Sequence, residues 1–274
     1  MENINISKRY IFFYLRLKTI KKRKNTSYLD NSLILFKDLL NWYLIHKSIF
    51  LKGILSDKIN SCFIVSRIIS NNICKKTYNY YSNPSNISIN NQILKFALKA
   101  NHGSGQNILV NNSQNFKIDE IKNKIKRWLM LDYGIKHKEF HYSYIKPKVF
   151  IEEFLENHNK ILEYKILQLK NLLKFVDVKF FINNTKYHNF YDKNFNFLDK
   201  YNKKSISKIG ITKIHQPLNF IEMESISKKL GNIFNQVRID LYELNKKIIL
   251  SEMTFTTNNM FINSNYYDFY LNYN

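Results

Sequence analysis

The sequence predicts an α+β fold. Several runs alternate apolar and polar residues, as half-buried strands do, and they come in neighbouring pairs joined by short turns, which is typical of antiparallel hairpins. Stretches with apolar residues at helical spacing lie between these pairs. Strands and helices do not alternate regularly, so a parallel βαβ array is not favoured. A length of 274 residues and a hydrophobic content of 45% are enough for one large domain or two small ones.

The formal net charge of +22 comes almost entirely from lysine. Of the 43 basic residues, 37 are lysine and six are arginine, in a chain that is also rich in Asn, Ile, Tyr and Phe. Proteins that read nucleic acids use arginine heavily, because its guanidinium group makes bidentate and stacking contacts. The composition therefore does not favour dedicated nucleic-acid binding, although so basic a chain would attract polyanions or an anionic membrane surface.

The cysteines and the hydropathy pattern bear on the cellular compartment. Cys62 and Cys74 are the two cysteines, and the sequence shows no secretory leader, so we expect buried thiols rather than a disulfide. Two cysteines without a nearby pair of histidines do not make a zinc site. No apolar run approaches the roughly 18 residues that a membrane span needs. A cytoplasmic protein that contacts membranes at most peripherally is therefore expected.

The first part of the chain is predicted to be helical after a basic stretch over residues 1–27. Residues 29–50 carry apolar residues at helical spacing and are interpreted as one or two buried helices. Ser56 is predicted to cap a helix that begins at Asp57 and turns its apolar residues to one face. Polar residues 75–92 are interpreted as a connector with one short strand.

Two short strands flank a glycine-containing loop in the middle of the chain. Apolar and other residues alternate over 94–99, a second aliphatic run covers 108–110, and between them lie Gly103 and Gly105, two of only six glycines. Such a loop can present successive backbone N–H groups to phosphate oxygens, and it can equally be an ordinary hairpin loop. It has the spacing of neither a Walker A loop nor a Rossmann fingerprint.

The remaining elements follow from the same two periodicities. Helical spacing predicts helices over 118–129 and 222–234, and strands are predicted over 149–155, 163–169 and 173–182. Residues 183–215 are polar and aromatic with little apolar periodicity, and are interpreted as a long connection.

The last clear unit is a hairpin whose polar face gathers four functional groups. If its turn centres on Lys246, Asp240 lies opposite Glu252 and Arg238 opposite Thr254, and opposed residues share one face of the sheet. The opposite, core-facing side is then formed by Ile239, Leu241, Met253 and Phe255. Two opposed carboxylates suit Mg²⁺, which takes one or two carboxylates together with substrate phosphates. The alternative is a solvent-facing hairpin in which Arg238 neutralises one acid.

Two lysines and one acidic strand end add to this picture. Lys58, at a predicted helix start, and Lys99, at a strand end, could each reach a phosphate, or could be two ordinary surface lysines among 37. Glu152 and Glu153 precede Phe154 in a strand whose end could present backbone groups to an adenine edge. An amphipathic edge strand explains the same pattern.

Taken as an ordered set, these segments resemble the TupA-like ATP-grasp family, which is associated with capsular polysaccharide and teichuronopeptide biosynthesis. The resemblance runs from about residue 35 to the C-terminus. Its segments are Lys58, Lys99 with 102–105, 152–155, 163–165, 188–192, 238–242 and 252–256. After Thr256 the family usually has Pro and a Gly-Ser-Gly-like run, whereas this chain has Thr257, Asn258, Asn259 and Met260.

The resemblance implies an ATP-grasp fold, in which two α+β lobes hold the nucleotide between them. Residues 1–34 would form a basic N-terminal segment, and 35–274 the ATP-grasp domain. Within that domain, 35–92 would be a helical N-terminal part, 93–154 a lid lobe and 155–274 a C-terminal catalytic lobe.

The resemblance also implies roles for individual residues. Lys58 and Lys99 would contact the ATP phosphates, the loop over 102–105 would cover them, 152–155 would hold the adenine, and Arg238 would stabilise the transferring phosphoryl group. The residues implied for ATP binding are Lys58, Lys99, His102, Gly103, Ser104, Gly105, Glu152, Glu153, Phe154, Leu155 and Lys165; those for Mg²⁺ are Asp240, Glu252 and Thr254; those for catalysis are Lys99 and Arg238.

The activity implied by the resemblance is ATP-dependent ligation of a carboxylate to an amine through an acyl phosphate, in surface polysaccharide assembly. The partners would be a carboxylate and an amine, one of them a sugar acid or a lipid-linked precursor. Three alternatives stay open: a glycosyltransferase, for which the chain lacks the common Asp-x-Asp motif; an ATP-binding protein without turnover; and a basic, polyanion-binding protein.

Overall fold

The computed structural model describes residues 49–256, apart from 90–91, 114–115, 138, 156–160, 170–171, 184, 199–212 and 235. The predicted basic segment over 1–34, most of the helical prediction over 29–50 and the departure at 257–260 lie outside these residues. Within them, two antiparallel sheets and five α-helices confirm the α+β fold. None of the helices in this part of the chain has the length and apolar character that a membrane crossing requires.

Two helices open the described chain, and the turn between them differs from the prediction. They are α1, Ile49–Ser56, and α2, Asn60–Ile69. Ser56 was predicted as the cap of the second helix, but it is the last residue of the first. The Asp57 carboxylate accepts the backbone N–H of Ile59 at 2.9 Å and takes over the capping role.

The remaining helices lie farther along the chain. They are α3, Ile118–Met130, α4, Tyr133–His137, and α5, Phe220–Gly231, with two 3₁₀ turns at Pro84–Asn86 and Phe140–Tyr144. The predicted helices over 118–129 and 222–234 are thus confirmed, with shifted ends.

A four-stranded antiparallel sheet forms the first layer around the site. Its strands are β1, Thr77–Tyr81, β2, Phe96–Ala100, β3, Asn107–Val110, and β4, Val149–Glu153, in the order β1-β4-β2-β3. Phe96 and Leu98 of β2 are fully buried and share a core with Ile125 and Trp128 of α3. The predicted hairpin around the glycine loop is the β2–β3 pair.

A five-stranded antiparallel sheet forms the second layer. Its strands are β5, Glu163–Leu169, β6, Leu172–Ile182, β7, Thr185–Tyr191, β8, Gln236–Leu244, and β9, Lys247–Thr254, in the order β7-β6-β5-β8-β9. One face packs against α2 and α5 in the largest core, where Ile166, Val178, Ile239 and Leu241 are fully buried. The other face is largely polar, with one apolar cluster formed by Leu167, Phe175 and Phe190.

Strand β7 lies where the sequence suggested a connection, so that interpretation of 183–215 was wrong over 185–191. The strand is the edge of its sheet, and Lys186, Tyr187 and His188 are polar or amphipathic residues that are not buried. Its buried apolar residues, Phe190 and Tyr191, are adjacent at the end of the strand and follow the buried Asn189, so the strand shows little apolar alternation, which explains why the pattern missed it.

The two cysteines form a disulfide, so the expectation of free, buried thiols was wrong. Cys62 of α2 and Cys74 are bonded, with their Cα atoms 5.6 Å apart, and both are half-buried. The chain reverses at Ser70, whose φ is +58°. The returning segment then runs beside β9, since Leu250 donates its N–H to the Ile73 carbonyl at 2.8 Å. This reversal brings Cys74 back alongside α2.

The β8–β9 hairpin has the predicted pairs for an unexpected reason. Arg238 pairs with Thr254 and Asp240 with Glu252, as predicted. The turn itself is shorter than expected: Asn245 and Lys246 both have positive φ, and Leu244 pairs with Lys247. A bulge after Asp240 then restores the predicted register where it matters for the site.

Candidate functional site

The polar face of the five-stranded sheet forms the floor of the site. Lys165 of β5 pairs with Asp177 of β6 on one side and Asp240 of β8 on the other, and Asp240 pairs with Glu252 of β9. Because opposed residues share a face, these four charged side chains form a row across neighbouring strands. Adjacent strands lie about 4.8 Å apart, so the row extends over roughly 14 Å.

A cavity of about 1100 Å³ lies between this floor, the four-stranded sheet and α2. It brings together most of the residues predicted for the site. The predicted residues that line it are Lys58, Lys99, Gly103, Ser104, Gly105, Glu152, Glu153, Phe154, Leu155, Lys165, Arg238 and Glu252. Such a volume is sufficient for a ligand of nucleotide size.

Three predicted residues do not line the cavity. The His102 ring is buried, with Nε2 2.9 Å from the Trp128 carbonyl and Nδ1 3.2 Å from Asn101 Oδ1. Burial lowers the pKa of His102. Asp240 belongs to the floor but is fully buried, and Thr254 is 8% exposed. Through its contacts with Trp128 and Asn101, the buried His102 ring anchors the glycine loop on the side away from the cavity.

Asp240 is the centre of the buried charge network. Its Oδ1 accepts Arg238 Nε at 2.7 Å, and its Oδ2 accepts an Arg238 terminal nitrogen at 2.7 Å and Lys165 Nζ at 2.5 Å. Burial alone would lower the pKa of both cations, but the Asp240 charge outweighs it and raises the pKa of Lys165 and of Arg238. Both cations are therefore fixed in place and permanently charged.

Glu252 is the carboxylate that the floor offers to the cavity. Its side chain is 26% exposed, with Oε1 3.4 Å from an Arg238 nitrogen and Oε2 3.9 Å from Lys58 Nζ. Burial opposes its ionisation, yet Lys58, Lys165 and Arg238 together lower the pKa of Glu252. The group is thus an anion that is only loosely held by its neighbours.

Glu152 links two lysines at the roof of the cavity. Its Oε1 is 2.5 Å from Lys99 Nζ and 2.7 Å from Lys75 Nζ, and all three side chains are largely buried. Burial works against each charge, but the pair of lysines lowers the pKa of Glu152. Lys99 is therefore ionised and held at the edge of the cavity, beside the glycine loop.

The glycine loop is docked on α4. The Gly103 carbonyl accepts Lys58 Nζ, and Ser104 hydrogen-bonds Tyr133. A Cβ on Gly103 would lie 2.5 Å from the Tyr133 ring, a distance that side chains do not tolerate. Gly105 has a φ of +74° and open space around it. Glycine is thus required at 103 by packing and at 105 by backbone conformation.

Sequence reasoning did not assign several charged residues of this site. Lys75 was not singled out, and neither were Lys179, which pairs with Glu163, or Asp177, whose Oδ1 is 2.8 Å from His188 Nδ1. Glu163 and Lys165 lie two residues apart on β5, as Asp177 and Lys179 do on β6. All four side chains therefore lie on the floor side of the sheet. Charged residues that alternate with buried apolar residues along a strand were the sequence signal that could have identified these side chains.

Comparisons with known proteins show which family the sequence matches. A profile of the family described as TupA-like ATPgrasp matches residues 39–271. No curated protein sequence matches the chain. Solved structures that resemble it include D-alanine–D-alanine ligases from Helicobacter pylori and Bacillus anthracis, and the ATP-grasp ligase PsnB.

These structural likenesses are distant. The Helicobacter pylori enzyme is 18% identical, with a TM-score of 0.39 over 76% of this chain and 56% of its own. The Bacillus anthracis enzyme is 14% identical, with a TM-score of 0.42 over 77% and 59%. PsnB, complexed with a precursor variant, Mg and ADP, is 8% identical, with a TM-score of 0.45 over 83% and 60%. The chain spans just over half the length of these proteins.

The two antiparallel sheets with a glycine loop between them, together with the family match, define an ATP-grasp fold. Since the profile covers nearly the whole sequence, the chain belongs to the TupA-like ATP-grasp family.

The residues present fit Mg²⁺ bound together with a phosphate-bearing ligand. Within the described ranges, no group of three or more His, Cys, Asp and Glu side chains could hold a metal without help. Glu252 offers a cavity-facing carboxylate, and Asp240 lies opposite it on β8 with both oxygens engaged by cations. One or two carboxylates completed by substrate phosphates is the arrangement that Mg²⁺ prefers.

Proposed function

We propose that the protein is an ATP- and Mg²⁺-dependent ligase that joins a carboxylate to an amine. The observation that carries this proposal is the composition of the cavity between the two sheets. Lys58, Lys99, Lys165 and Arg238 surround the partly exposed carboxylate of Glu252, beside a docked glycine loop. Family membership and fold support the same chemistry.

Lys99 and Lys58 are suited to a triphosphate. Each already lies near a carboxylate at the cavity wall, so each occupies a position where an anionic group is favourable. Lys99 is paired with Glu152, and Lys58 lies 3.9 Å from Glu252. Burial lowers the pKa of Lys58, so an anionic ligand beside it would be favoured. The backbone N–H groups of the 102–105 loop add further donors. The adenine would lie near 152–155, where β4 leaves its sheet.

In the proposed reaction, a substrate carboxylate attacks the γ-phosphorus of ATP, giving an acyl phosphate and ADP, and an amine then displaces phosphate. Arg238, held by the buried Asp240, presents a fixed positive charge to the phosphoryl group as its charge develops. Glu252, with Asp240 beside it on β8, would hold Mg²⁺, which when bound neutralises charge on the phosphates. Lys58 and Lys99 would orient the triphosphate.

The proposal also includes a biological setting. We place the ligase in cell-surface or capsular polysaccharide biosynthesis, acting in the cytoplasm on a sugar acid or a lipid-linked precursor. The support is the resemblance to a family associated with such pathways. The strongly basic composition would also favour anionic precursors or an anionic membrane surface.

The test uses hydroxylamine as a small nucleophile that intercepts acyl phosphates. The purified protein is incubated with Mg-ATP, hydroxylamine and a panel of amino acids and uronic acids, and ADP and hydroxamate are measured. We expect at least one carboxylate to give both products in equal amounts. Arg238→Gln should reduce the rate by roughly 100-fold or more, whereas Arg127→Gln, on the exposed side of α3 and outside the cavity lining, should leave it unchanged.

Other outcomes would favour another function. Nucleotide binding without ADP release for any carboxylate would indicate an ATP-binding protein without turnover, for which the full engagement of Asp240 by Arg238 and Lys165 is the supporting observation. Sugar transfer without ATP consumption would indicate a glycosyltransferase.

A further inference from the structure

The wall of the cavity contains a sulfur site that the proposed reaction does not use. Cys62 of α2 and Cys74 are joined by a disulfide, and both cysteines line the cavity together with Ser66. Both cysteines are only half-buried, so the cavity gives a small molecule access to the bond. Exposed disulfides are commonly the labile ones, whereas shielded disulfides resist reduction.

The two sulfur atoms have different surroundings. Ser66 Oγ lies 3.2 Å from Cys74 Sγ. Because a disulfide sulfur carries no hydrogen, the serine hydroxyl is the donor in this contact. Cys62 instead packs against the apolar core that α2 and α5 form with the five-stranded sheet. Among the described side chains, Cys74 therefore has a donor that would stabilise a negatively charged sulfur, and Cys62 has none.

The dipole of α2 does not reverse this difference. Cys62 is the third residue of α2, and a helix N-terminus favours a thiolate. The Asp57 carboxylate already caps this end, accepting the N–H groups of Ile59 and Asn60 at 2.9 and 3.4 Å. Its negative charge opposes a second anion there. Cys74 is therefore the better leaving group of the disulfide, since a more stable thiolate leaves faster.

The disulfide also joins two segments that each carry a lysine of the cavity. Lys58 lies two residues before α2, and Lys75 directly follows Cys74 and bonds Glu152 at 2.7 Å. Sulfur atoms that are no longer bonded cannot stay at bonding distance, so Cys62 and Cys74 must separate when the bond opens. The relative positions of the two lysines are then less restricted.

We propose that Cys62, Cys74 and Ser66 form a thiol–disulfide exchange site on the cavity wall, that its substrate is a low-molecular-weight thiol, and that opening the bond weakens the binding of Mg-ATP. The exchange chemistry is independent of the proposed ligase. The effect on Mg-ATP rests on that proposed function, since it requires the nucleotide to occupy the same cavity.

The exchange consists of two balanced steps. A thiolate RS⁻ attacks Cys62 Sγ, so that a mixed disulfide with Cys62 forms and the original S–S bond breaks. The electron pair of that bond goes to Cys74 Sγ, where the Ser66 hydroxyl donates to the new thiolate. A second thiolate then attacks the sulfur of R, releasing RSSR and the Cys62 thiolate. The thiol is oxidised, the protein disulfide is reduced, and both cysteines take up protons from solvent.

Nucleotide binding and exchange should affect each other in both directions. If the reduced chain binds Mg-ATP more weakly than the disulfide form by a given factor, Mg-ATP must favour the disulfide form by the same factor. A nucleotide in the cavity would also hinder the approach of a thiol to Cys62, which lines it.

The first experiment follows exchange with glutathione on the air-oxidised native chain, without nucleotide, by mass spectrometry. Iodoacetamide is added at each time point to trap the released thiol. Ser66→Ala removes the donor to Cys74, and Ser82→Ala, at an exposed serine outside the cavity lining, is the matched control.

We expect glutathione on Cys62 and alkylation on Cys74 when the peptides are mapped. Exchange should be slower by about fivefold or more in Ser66→Ala, because a hydrogen bond to a charged group is lost, and unchanged in Ser82→Ala. Free thiols in the air-oxidised chain, glutathione on Cys74, or equal rates for the native chain and Ser66→Ala would overturn the exchange site.

The second experiment measures the dissociation constant of Mg-ATP. The disulfide form is compared with the chain reduced by dithiothreitol and with the variant that combines Cys62→Ser and Cys74→Ser. We expect reduction to weaken binding by about fivefold or more, and the double variant to match the reduced chain with or without dithiothreitol. Equal affinities would overturn the link to the nucleotide but not the ligase. Binding to none of the three would count against both, while the exchange rates would still decide the exchange site.

Discussion

At the scale of single residues, Glu152 shows how much a buried ion pair depends on both partners. It is the anion between Lys75 and Lys99, whose side chains are 9% and 22% exposed. Glu152→Gln would leave two lysines facing each other with little water, and we expect a loss of about 3 kcal/mol in the free energy of unfolding. Urea unfolding at pH 7 measures this loss.

The matched control for this change is Glu153→Gln, the exposed neighbour on the same strand, which should cost less than about 0.5 kcal/mol. The pH dependence gives a second criterion. Because the lysines lower the pKa of Glu152, its contribution is fully present above the ordinary glutamate pKa and is lost as the pH falls through the lowered value. Equal losses for both variants, or a loss that persists in acid, would contradict this account.

Glu139 should show the opposite pH dependence. Its pKa is raised to about 7 by burial, with Glu252, Arg238, Lys58, Tyr133 and Tyr142 as its charged or titratable neighbours. The unfolded chain releases the proton near pH 4.5, so the native chain loses stability between that pH and 7. Glu139→Gln should therefore be more stable than the native chain at pH 8, by about 1–3 kcal/mol, and similar to it at pH 4.

Urea unfolding of the native chain and Glu139→Gln at both pH values measures the difference. A variant that is destabilised equally at pH 4 and pH 8 would show that Glu139 is ionised and favourably paired throughout.

The sequence predicted the residue pairs of the site better than it predicted the reasons for them. Asp240 and Glu252 are opposed because a two-residue turn at Asn245 and Lys246 is compensated by a bulge after Asp240. Neither feature is evident from alternation alone. Lys75 and Glu139 could not be found this way, because their partners Glu152 and Thr256 are distant in sequence and no local pattern connects them.

At the scale of elements, the glycine loop gives a prediction with an internal control. Gly103→Ala would place a Cβ 2.5 Å from the Tyr133 ring, so we expect a loss of about 1–3 kcal/mol in stability and weaker Mg-ATP binding. Gly105→Ala meets no neighbour and should cost only about 1 kcal/mol, through its positive φ. Thermal unfolding with and without nucleotide distinguishes the two variants.

The cause of the Gly103 effect is tested in a second background. With Tyr133→Ala in place, the space beside residue 103 opens, and Gly103→Ala should then cost much less than it does in the native chain. An unchanged cost would show that the contact with Tyr133 is not what requires glycine at 103.

Most elements were predictable, and the exceptions share a physical cause. Strands and helices that bury an apolar face, such as β5, β9 and α3, follow the expected periodicity. Strand β7 does not, because each of its faces mixes polar and apolar residues: Asn189 shares a face with the buried Tyr191, and Lys186 and His188 share the other face with Phe190. The disulfide depends on the chain reversal at Ser70, which places Cys74 beside α2, and compartment arguments about leaders cannot anticipate such a contact.

At the scale of the whole molecule, the site exists because two sheets face each other. The four-stranded sheet brings Lys99 and Glu152, the five-stranded sheet brings Lys165, Arg238 and Glu252, and both sets line the same cavity. The sequence predicted both sets, but their assembly into one cavity depended on the family resemblance. No short-range pattern specifies how two separate sheets pack.

The central claim is that a nucleotide and Mg²⁺ bind on the polar face of the five-stranded sheet. The measurement that tests it most directly is thermal unfolding of the native chain and Glu252→Gln, each with and without Mg-ATP. A ligand at 100 times its dissociation constant adds about 2.7 kcal/mol to the free energy of unfolding. The account predicts a metal-dependent rise in the melting temperature of the native chain and a much smaller one in Glu252→Gln. No rise at millimolar Mg-ATP, or an equal rise in both proteins, would contradict it.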